Sequence, residues 1–319
     1  MSLAEYVVAH NCAARGQRCR TCEYAREGPH GETDGVVDDG APVRVHGRLG
    51  PMTAHPAPVD PVNPTDASAE TRGLTPKARQ ALEGLPPALA ALGHAFVRAG
   101  HEIALVGGPV RDAFLGVAPH DLDLTTSARP EQTEKILAAW GETTWDVGRA
   151  FGTIGARKGS TIVEVTTYRS EAYEVGSRKP QVTYGDTLTG DLTRRDFTVN
   201  AMALRLPDLE LVDPCGGLSD LATGVLRTPV SAEQSFDDDP LRIMRAARFA
   251  AQLGFDVEMD VMTAMEEMAS RLEIVSAERV RAELERLLIS PWPRRGLELM
   301  VHTGVADVVL PELSALRET

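Results

Sequence analysis

Short strand-like segments alternate with helical stretches over roughly residues 101–168, and this pattern most restricts what the chain can fold into. An apolar run, IALV, ends at a glycine pair, and the segments HDLDLTT and TIVEVTTYR then alternate in polarity. A helical stretch, Pro130–Trp140, separates those two segments. Alternation with a period of two is typical of strands with one buried face. The pattern therefore predicts an α/β domain.

Helical patterns flank this domain on both sides. Thr75 followed by Pro76 resembles a helix N-cap with proline at the first helical position. Leucines then recur at helical spacing, at Leu82, Leu85, Leu89 and Leu92. From Asp213 onward the pattern is almost entirely helical, with the glycine pair at 216–217 marking the junction. The sequence therefore predicts a helical start near residue 75 and a second, all-α unit.

The first 74 residues predict a disordered leader. From residue 27 they are rich in Gly, Pro and Asp and lack hydrophobic periodicity, so they cannot bury enough surface to order themselves. Met52 is a candidate for the true start. Four potential zinc ligands occur near the terminus, at His10, Cys12, Cys19 and Cys22. Their spacing is not that of a common zinc finger, so an incidental terminus is the alternative.

The charge balance restricts how the chain can meet nucleic acid. With 46 acidic against 33 basic residues, the net charge is −13. This balance argues against broad adhesion to nucleic acid, so a nucleic-acid substrate would have to meet local basic patches. Such patches occur at 194–195, 242–248, 279–281 and 294–295, although each also fits a solvated helix face. No long apolar run indicates a membrane span, so we expect a cytoplasmic protein; the oligomeric state is not indicated.

The glycine pair Gly107–Gly108 lies between a predicted strand and a predicted helix. Glycines let backbone amides approach a phosphate closely, and a helix N-terminus favours anions. Arg111, three residues further on, can reach back to the same phosphates. The segment predicts a phosphate site, with a plain tight turn as the alternative.

Acidic residues on two predicted strands form a second candidate site. Asp121 and Asp123 are two residues apart, so on a strand their side chains point to one face. Two such carboxylates suit Mg²⁺, which binds few protein oxygens and the phosphates of its substrate. Glu164 lies in an otherwise apolar and β-branched strand. It is a candidate to complete the set, with a structural salt bridge or an exposed strand face as alternatives.

Six segments occur in a fixed order between about residues 100 and 290, and together they resemble a known family. In chain order they are LVGGPVRDAFLG, HDLDLTT, DLTRRDFTVNAMA, DPCGGLSDL, DDPLRIMRAARFAAQLGF and AERVRAELERLL. They look like the successive motifs of class II tRNA nucleotidyltransferases and the related bacterial poly(A) polymerases. The resemblance implies an α/β nucleotidyltransferase head with a mixed β-sheet, followed by an all-α neck and body.

The resemblance also implies domain bounds and site roles. The head would span 75–205 and the helical neck 206–290, and 291–319 would begin a body that looks truncated. Asp121 and Asp123 would hold the metal. The incoming nucleotide would be bound by residues of three segments, namely Gly107, Gly108, Arg111, Arg195, Asp196, Asp239, Arg242, Arg245 and Arg248. For Arg195 and Asp196 an ion pair at a helix start is the alternative.

Asp239 and Arg242 are implied to read the base. Cytosine and adenine each present an amino donor beside a ring-nitrogen acceptor, so a carboxylate can accept from the first while a guanidinium donates to the second. Uracil and guanine place a carbonyl where the amino group should be. Asp239 also precedes Pro240 at a predicted helix start, where it would serve as a cap. The three arginines at 242, 245 and 248 would face the cleft, with a solvated helix face as the alternative.

The implied function is addition of CCA to the 3′ end of tRNA with CTP, ATP and Mg²⁺. Poly(A) synthesis, or partial CC or A addition, shares every motif. A catalytically silent fragment that binds RNA or nucleotide is a third hypothesis, because relatives of this type continue with more helices.

Overall fold

The computed structural model describes residues 74–119, 122–172 and 181–315. The predicted leader, with the zinc candidates and Met52, lies outside these residues. Asp121 lies outside them as well. Among the described helices, none is long and apolar enough to cross a membrane.

Two helices open the described chain, as the leucine spacing predicts. They are α1 (Pro76–Glu83) and α2 (Pro87–Arg98). Thr75 caps α1, since its hydroxyl accepts a hydrogen bond from the Ala78 amide at 3.1 Å. Leu89 and Leu92 of α2 are buried in the core.

The sheet domain contains nine strands and three further α-helices. The strands are β1 (Ile103–Val106), β2 (Asp123–Thr126), β3 (Thr143–Trp145), β4 (Thr153–Lys158), β5 (Thr161–Thr167), β6 (Arg169–Ala172), β7 (Gln181–Tyr184), β8 (Ala203–Arg205) and β9 (Glu210–Val212). The helices are α3 (Gly108–Leu115), α4 (Pro130–Trp140) and α5 (Leu188–Thr193). Seven strands form one sheet in the order β3-β4-β5-β2-β1-β8-β9, and β6 pairs with β7 separately. Only β2 and β5 pair in parallel within the seven, so the predicted mixed sheet is confirmed.

Strand register brings the ends of several segments together. Leu105 of β1 lies opposite Leu124 of antiparallel β2, so β1 ends beside the start of β2. Val106 of β1 in turn lies opposite Ala203, the first residue of β8. The turn after β1, the start of β2 and the segment that leads into β8 therefore share one end of the sheet.

The sheet extends past the predicted head boundary. β9 pairs with β8, placing Val212 opposite Ala203, so residue 205 falls inside the sheet. β9 has only three residues, too few for alternation to be recognised in the sequence. The sheet domain ends at Val212.

The remaining described chain is helical, as predicted. Its α-helices are α6 (Gly217–Thr223), α7 (Ala232–Asp238), α8 (Leu241–Leu253), α9 (Met259–Met268), α10 (Ala277–Leu288), α11 (Pro293–His302), α12 (Val305–Val309) and α13 (Pro311–Ala315). The exception is a two-residue parallel pair, β10 (Val225–Leu226) with β11 (Asp256–Val257). α8 lies at the centre, packed against α10 and α11. Its apolar stripe is buried, at Ile243, Ala246, Ala247 and Ala250.

Candidate active site

The turn between β1 and α3 is built by a glycine that no other residue replaces without strain. Gly107 has φ 74° and ψ −132°, a conformation that L side chains rarely adopt. A Cβ at this position would lie 3.3 Å from Nη1 of Arg195. The open side of the turn therefore faces the Arg195 guanidinium, and the N-terminus of α3 begins at the next residue.

Arg111 folds back from α3 toward the same turn. Its Nη2 lies 3.6 Å from the point that a Cβ on Gly108 would occupy. The guanidinium is buried: Nε donates to Asp112 at 2.8 Å, and Nη1 donates to Oδ1 of Asn200 at 2.7 Å. Protein partners thus fix the orientation of Arg111 beside the glycine pair.

Asp123 and Glu164 are direct neighbours on the parallel strands β2 and β5. Both residues are exposed, while Leu124 and Val165, which follow them, are buried. Because alternate residues of a strand point to opposite faces, the two carboxylates lie on the same face of the sheet, at a point where it is exposed. The register therefore supplies a pair of carboxylates at the end where β1 meets its glycine turn.

Asp191 of α5 binds both arginines of the RRDFT segment. Its side chain is fully buried; Oδ1 accepts from Arg194 Nη2 at 2.6 Å, and Oδ2 accepts from Arg195 Nη2 at 2.9 Å. Burial acts to raise the pKa of this carboxyl, but Arg195 and Arg194 outweigh it and hold the pKa at about 2. Asp191 is therefore charged at neutral pH and anchors the pair.

Asp196 joins the RRDFT segment to helix α8. Its Oδ2 accepts from Nε and Nη2 of Arg245, at 2.9 and 2.5 Å. Its Oδ1 accepts from the Phe197 amide at 2.8 Å and from Nδ2 of Asn200 at 3.0 Å. Burial alone would raise the pKa of Asp196, yet Arg245 and Asn200 lower it to about 2.

The three arginines of α8 do not form a solvated face, so that alternative is wrong. Arg242 and Arg248 are each 7% exposed. Arg242 donates to the Ser235 hydroxyl at 2.9 Å and to the Arg194 carbonyl at 2.6 Å. Together with Arg245 they line the side of α8 that meets the RRDFT segment and α10.

Phe249 and Glu283 contact Arg245 and Arg248, the second and third arginines of α8. The ring centroid of Phe249 lies 3.8 Å from Cζ of Arg248 and 5.3 Å from Cζ of Arg245. Glu283 of α10 is buried and binds Nε of Arg248 at 2.5 Å. Burial and the charge of Arg245 lower the pKa of Arg248 to about 10. The row is held by packing and by two buried carboxylates, Asp196 on Arg245 and Glu283 on Arg248.

Asp239 lies between α7 and α8, where the predicted cap contact is present. Its Oδ1 accepts from the Leu241 amide at 3.2 Å. Oδ2 pairs with Arg279 of α10 at 3.1 Å. The base-reading role stays a prediction beside this capping contact.

Sequence reasoning missed three residues that organise the site. They are Asp191, Asn200 and Glu283. Asn200 follows Asp196 at a spacing of four, and Asp191 precedes Arg195 at the same spacing, which is the available signal. Glu283 pairs with Arg245 and Arg248, which lie more than 30 positions earlier, so no local pattern identifies it.

Comparisons with known proteins agree with this geometry. The family described as "Poly A polymerase head domain" matches residues 103–227. The family described as "Probable RNA and SrmB- binding site of polymerase A" matches residues 254–316. The first match covers the sheet and α6, and the second covers α9 to α13.

Relatives and solved structures are similar over the same region. The CCA-adding enzyme of Streptococcus sanguinis is 41% identical over 220 residues, covering 69% of this chain and 54% of that protein. The enzyme of Leuconostoc mesenteroides is 42% identical over 66% of this chain and 51% of its own. The chain thus spans about half the length of the curated relatives it matches.

Two solved structures show the same fold. The Bacillus stearothermophilus CCA-adding enzyme in complex with CTP has a TM-score of 0.61 at 35% identity, covering 73% of this chain and 53% of its own. The Thermotoga maritima CCA-adding enzyme complexed with tRNA also has a TM-score of 0.61, at 29% identity, covering 73% and 55%. With six ordered motifs, this fold and these relatives, the chain belongs to the family of class II tRNA nucleotidyltransferases and bacterial poly(A) polymerases.

Proposed function

We propose that the chain is a template-independent RNA nucleotidyltransferase that adds CCA to the 3′ end of tRNA from CTP and ATP. The observation that carries the proposal is the convergence at one end of the sheet. There the glycine turn with Arg195 and Arg111 adjoins the paired carboxylates Asp123 and Glu164. Phosphate-binding groups beside acidic residues are what nucleotidyl transfer requires.

The carboxylates fit magnesium. Asp121 and Asp123 are the proposed metal ligands, and Glu164, the direct neighbour of Asp123 on β5, is the candidate to complete the set. Within the described ranges no three acidic, histidine or cysteine side chains cluster as a metal site. When bound, Mg²⁺ would stabilise the charge that develops on the attacking and leaving oxygens.

The triphosphate is assigned to the glycine turn. No Cβ at Gly107 or Gly108 keeps phosphate oxygens from the backbone of the turn. The Gly107 amide donates to the Met202 carbonyl at 3.3 Å, so the phosphate contact is assigned to the Gly108 amide at the N-terminus of α3. Arg111 and Arg195 supply positive charge on either side of the turn. Asp196 lies next to Arg195 and is assigned to the ribose.

The base is assigned to the start of α8. A guanidinium has five N–H donors, and Arg242 uses Nη1 and Nη2 in protein contacts, which leaves donors for a ring nitrogen. The Asp239 carboxylate has acceptor sites beyond its contacts with Leu241 and Arg279. Arg245 and Arg248 support this pair from the next turns of the helix.

Domain roles and location complete the proposal. The sheet domain is the catalytic head, the helices to residue 290 form the neck that meets base and RNA, and 291–319 begin the body. Relatives bind tRNA, CTP or ATP in solved structures. An enzyme with these substrates would act in the cytoplasm.

The test supplies tRNA that lacks its terminal CCA, Mg²⁺ and one labelled nucleoside triphosphate at a time. The proposal predicts incorporation of C from CTP, and of a single A from ATP once the tRNA ends in CC. Long runs of A would instead identify a poly(A) polymerase. Nucleotide binding without any incorporation would identify a silent binding fragment.

A further inference from the structure

Asp191 has no surface open to a substrate, yet it accepts hydrogen bonds from four residues around the site. Oδ1 accepts from Nε and Nη2 of Arg194, at 3.1 and 2.6 Å, and from the backbone amide of Arg169 at 3.2 Å. Oδ2 accepts from Nη2 of Arg195 at 2.9 Å and from the Thr125 hydroxyl at 3.2 Å. Its contacts therefore come from β2, from β6 and from the RRDFT segment.

One of these contacts ties Asp191 to the acidic strand. Thr125 follows Asp123 by two residues on β2, so the two side chains point to the same face of the sheet. Asp191 therefore lies on the face that carries Asp123 and Glu164. Unlike Asp123 and Glu164, however, Asp191 is fully buried, so it is not one of the proposed metal ligands.

The other contact ties Asp191 to the glycine turn. Arg195 uses Nη2 for Asp191, and its Nη1 faces Gly107. Nε of Arg195 is buried and has no hydrogen-bond partner among the described residues. Asp191 thus holds Arg195 through Nη2, while Nη1, which faces Gly107, remains for a ligand at the turn.

The neighbouring guanidiniums of Arg194 and Arg195 also require a negatively charged partner. Asp191 is the shared carboxylate partner of the Arg194 and Arg195 guanidiniums. Without the carboxylate, the two guanidiniums would repel each other and sample other rotamers. Their fixed orientation is what a triphosphate would bind.

We infer that Asp191 is a positioning residue that holds Arg195 at the glycine turn and in register with the carboxylates of β2 and β5. This inference rests on the proposed function. It concerns how the triphosphate is bound, and it assigns no contact with the substrate to Asp191 itself.

The test compares Asp191→Asn with Asp220→Asn, a matched control. Asp220 is also buried, accepts from a threonine hydroxyl (Thr198, 2.7 Å) and pairs with an arginine (Arg227, 3.4 Å). Dissociation constants for CTP and CMP are measured by calorimetry with Mg²⁺, alongside melting curves. We expect Asp191→Asn to weaken CTP about ten-fold while CMP changes little, since one charge-assisted contact is lost. Asp220→Asn should leave both constants unchanged.

A double-mutant cycle separates positioning from general destabilisation. In an Arg195→Ala background, Asp191→Asn should weaken CTP binding much less than in the wild type, because the residue through which it acts is gone. If Asp191→Asn does not fold, Thr125→Val removes one donor to Asp191 and keeps a similar shape. That variant should weaken CTP binding a few-fold, again without affecting CMP.

Three results would overturn the inference. The first is CTP affinity in Asp191→Asn or, where that variant does not fold, in Thr125→Val equal to that of Asp220→Asn. The second is an equal loss for CTP and CMP, and the third is a full effect retained in the Arg195→Ala background. Each of these leaves the proposed function standing. Failure of the wild-type chain to bind CTP at all would overturn both.

Discussion

Arg245 of α8 places two nitrogens on one oxygen of Asp196, with Nε at 2.9 Å and Nη2 at 2.5 Å from Oδ2. The other oxygen of Asp196 accepts from Asn200, which in turn accepts from Arg111 at 2.7 Å. A continuous polar chain thus runs from the glycine turn to the helix that is assigned to the base. The groups proposed for phosphate, ribose and base therefore have fixed relative positions.

This ion pair predicts a loss of stability in acid. The folded pKa of Asp196 is about 2, below its ordinary value of 3.8, so its contribution is present above about pH 4 and is lost as pH falls through 2. The size is about 2 kcal/mol in the free energy of unfolding. Urea unfolding between pH 2 and 6 measures it.

Asp196→Asn should remove that part of the pH dependence. The wild type should lose about 2 kcal/mol more than the variant between pH 4 and 2. Asp186→Asn is the control, since its side chain is 86% exposed and should leave the curve unchanged. Parallel curves for wild type and Asp196→Asn would show that the ion pair does not stabilise the fold.

Two glycine-to-alanine variants should separate the effect of backbone strain on stability from an effect on CTP binding. Gly107→Ala forces an L residue to φ 74° and brings a Cβ to 3.3 Å from Arg195. Gly100→Ala imposes a similar φ, 79°, with nothing within 4 Å of the new Cβ. Both should lose about 1–3 kcal/mol of stability.

Only Gly107→Ala should also lose CTP binding, by ten-fold or more, because its methyl group occupies the proposed phosphate site. Calorimetric titration at a temperature where both variants are folded checks this. Equal CTP affinity in the two alanine variants would remove the turn from the phosphate site.

The proposed carboxylate set predicts loss of transfer without loss of fold. Asp121→Ala, Asp123→Ala and Glu164→Gln each remove a proposed metal ligand, and the side chains of Asp123 and Glu164 are exposed, so the core does not depend on them. Incorporation of labelled CTP should fall by at least two orders of magnitude. Glu210→Gln, an exposed carboxylate on β9, should keep full activity. Unfolding of the ligand variants, rather than inactivity, would assign these residues to structure.

Asp239 predicts a change of nucleotide preference. If it accepts from the amino group of C or A, Asp239→Ala should relax discrimination against UTP and GTP by roughly ten- to a hundred-fold, or about 1–3 kcal/mol. If it only caps α8, the variant should lose about 1 kcal/mol of stability with preference unchanged. The ratio of kcat/KM values for the four triphosphates, with melting curves beside it, distinguishes the two.

Local patterns were sufficient to predict the elements that build the site. The N-cap Thr75, helix Pro130–Trp140 and the alternating strand Thr161–Thr167 all occur where short-range spacing places them. The same holds for the leucine spacing of α1 and α2, because burial of one helix face leaves a period in the sequence. β9 was missed because three residues leave no such period.

Pairings across the chain were not predictable from spacing. Asp123 meets Glu164 through strand register, and Arg248 meets Glu283 through the packing of α8 on α10. The sequence singled out Glu164 as a candidate to join Asp123, but only the strand register makes them neighbours. It did not indicate Glu283 as the partner of Arg248, because a partner that distant in the chain is determined by the fold.

The most direct test of CCA addition is the nucleotide sequence of the extended tRNA. The chain is incubated with tRNA ending just before CCA, Mg²⁺ and all four nucleoside triphosphates, and the extended 3′ end is sequenced. We predict three added nucleotides, C, C and A, after which extension stops. An unextended tRNA, or a run of a single nucleotide, would contradict the assignment.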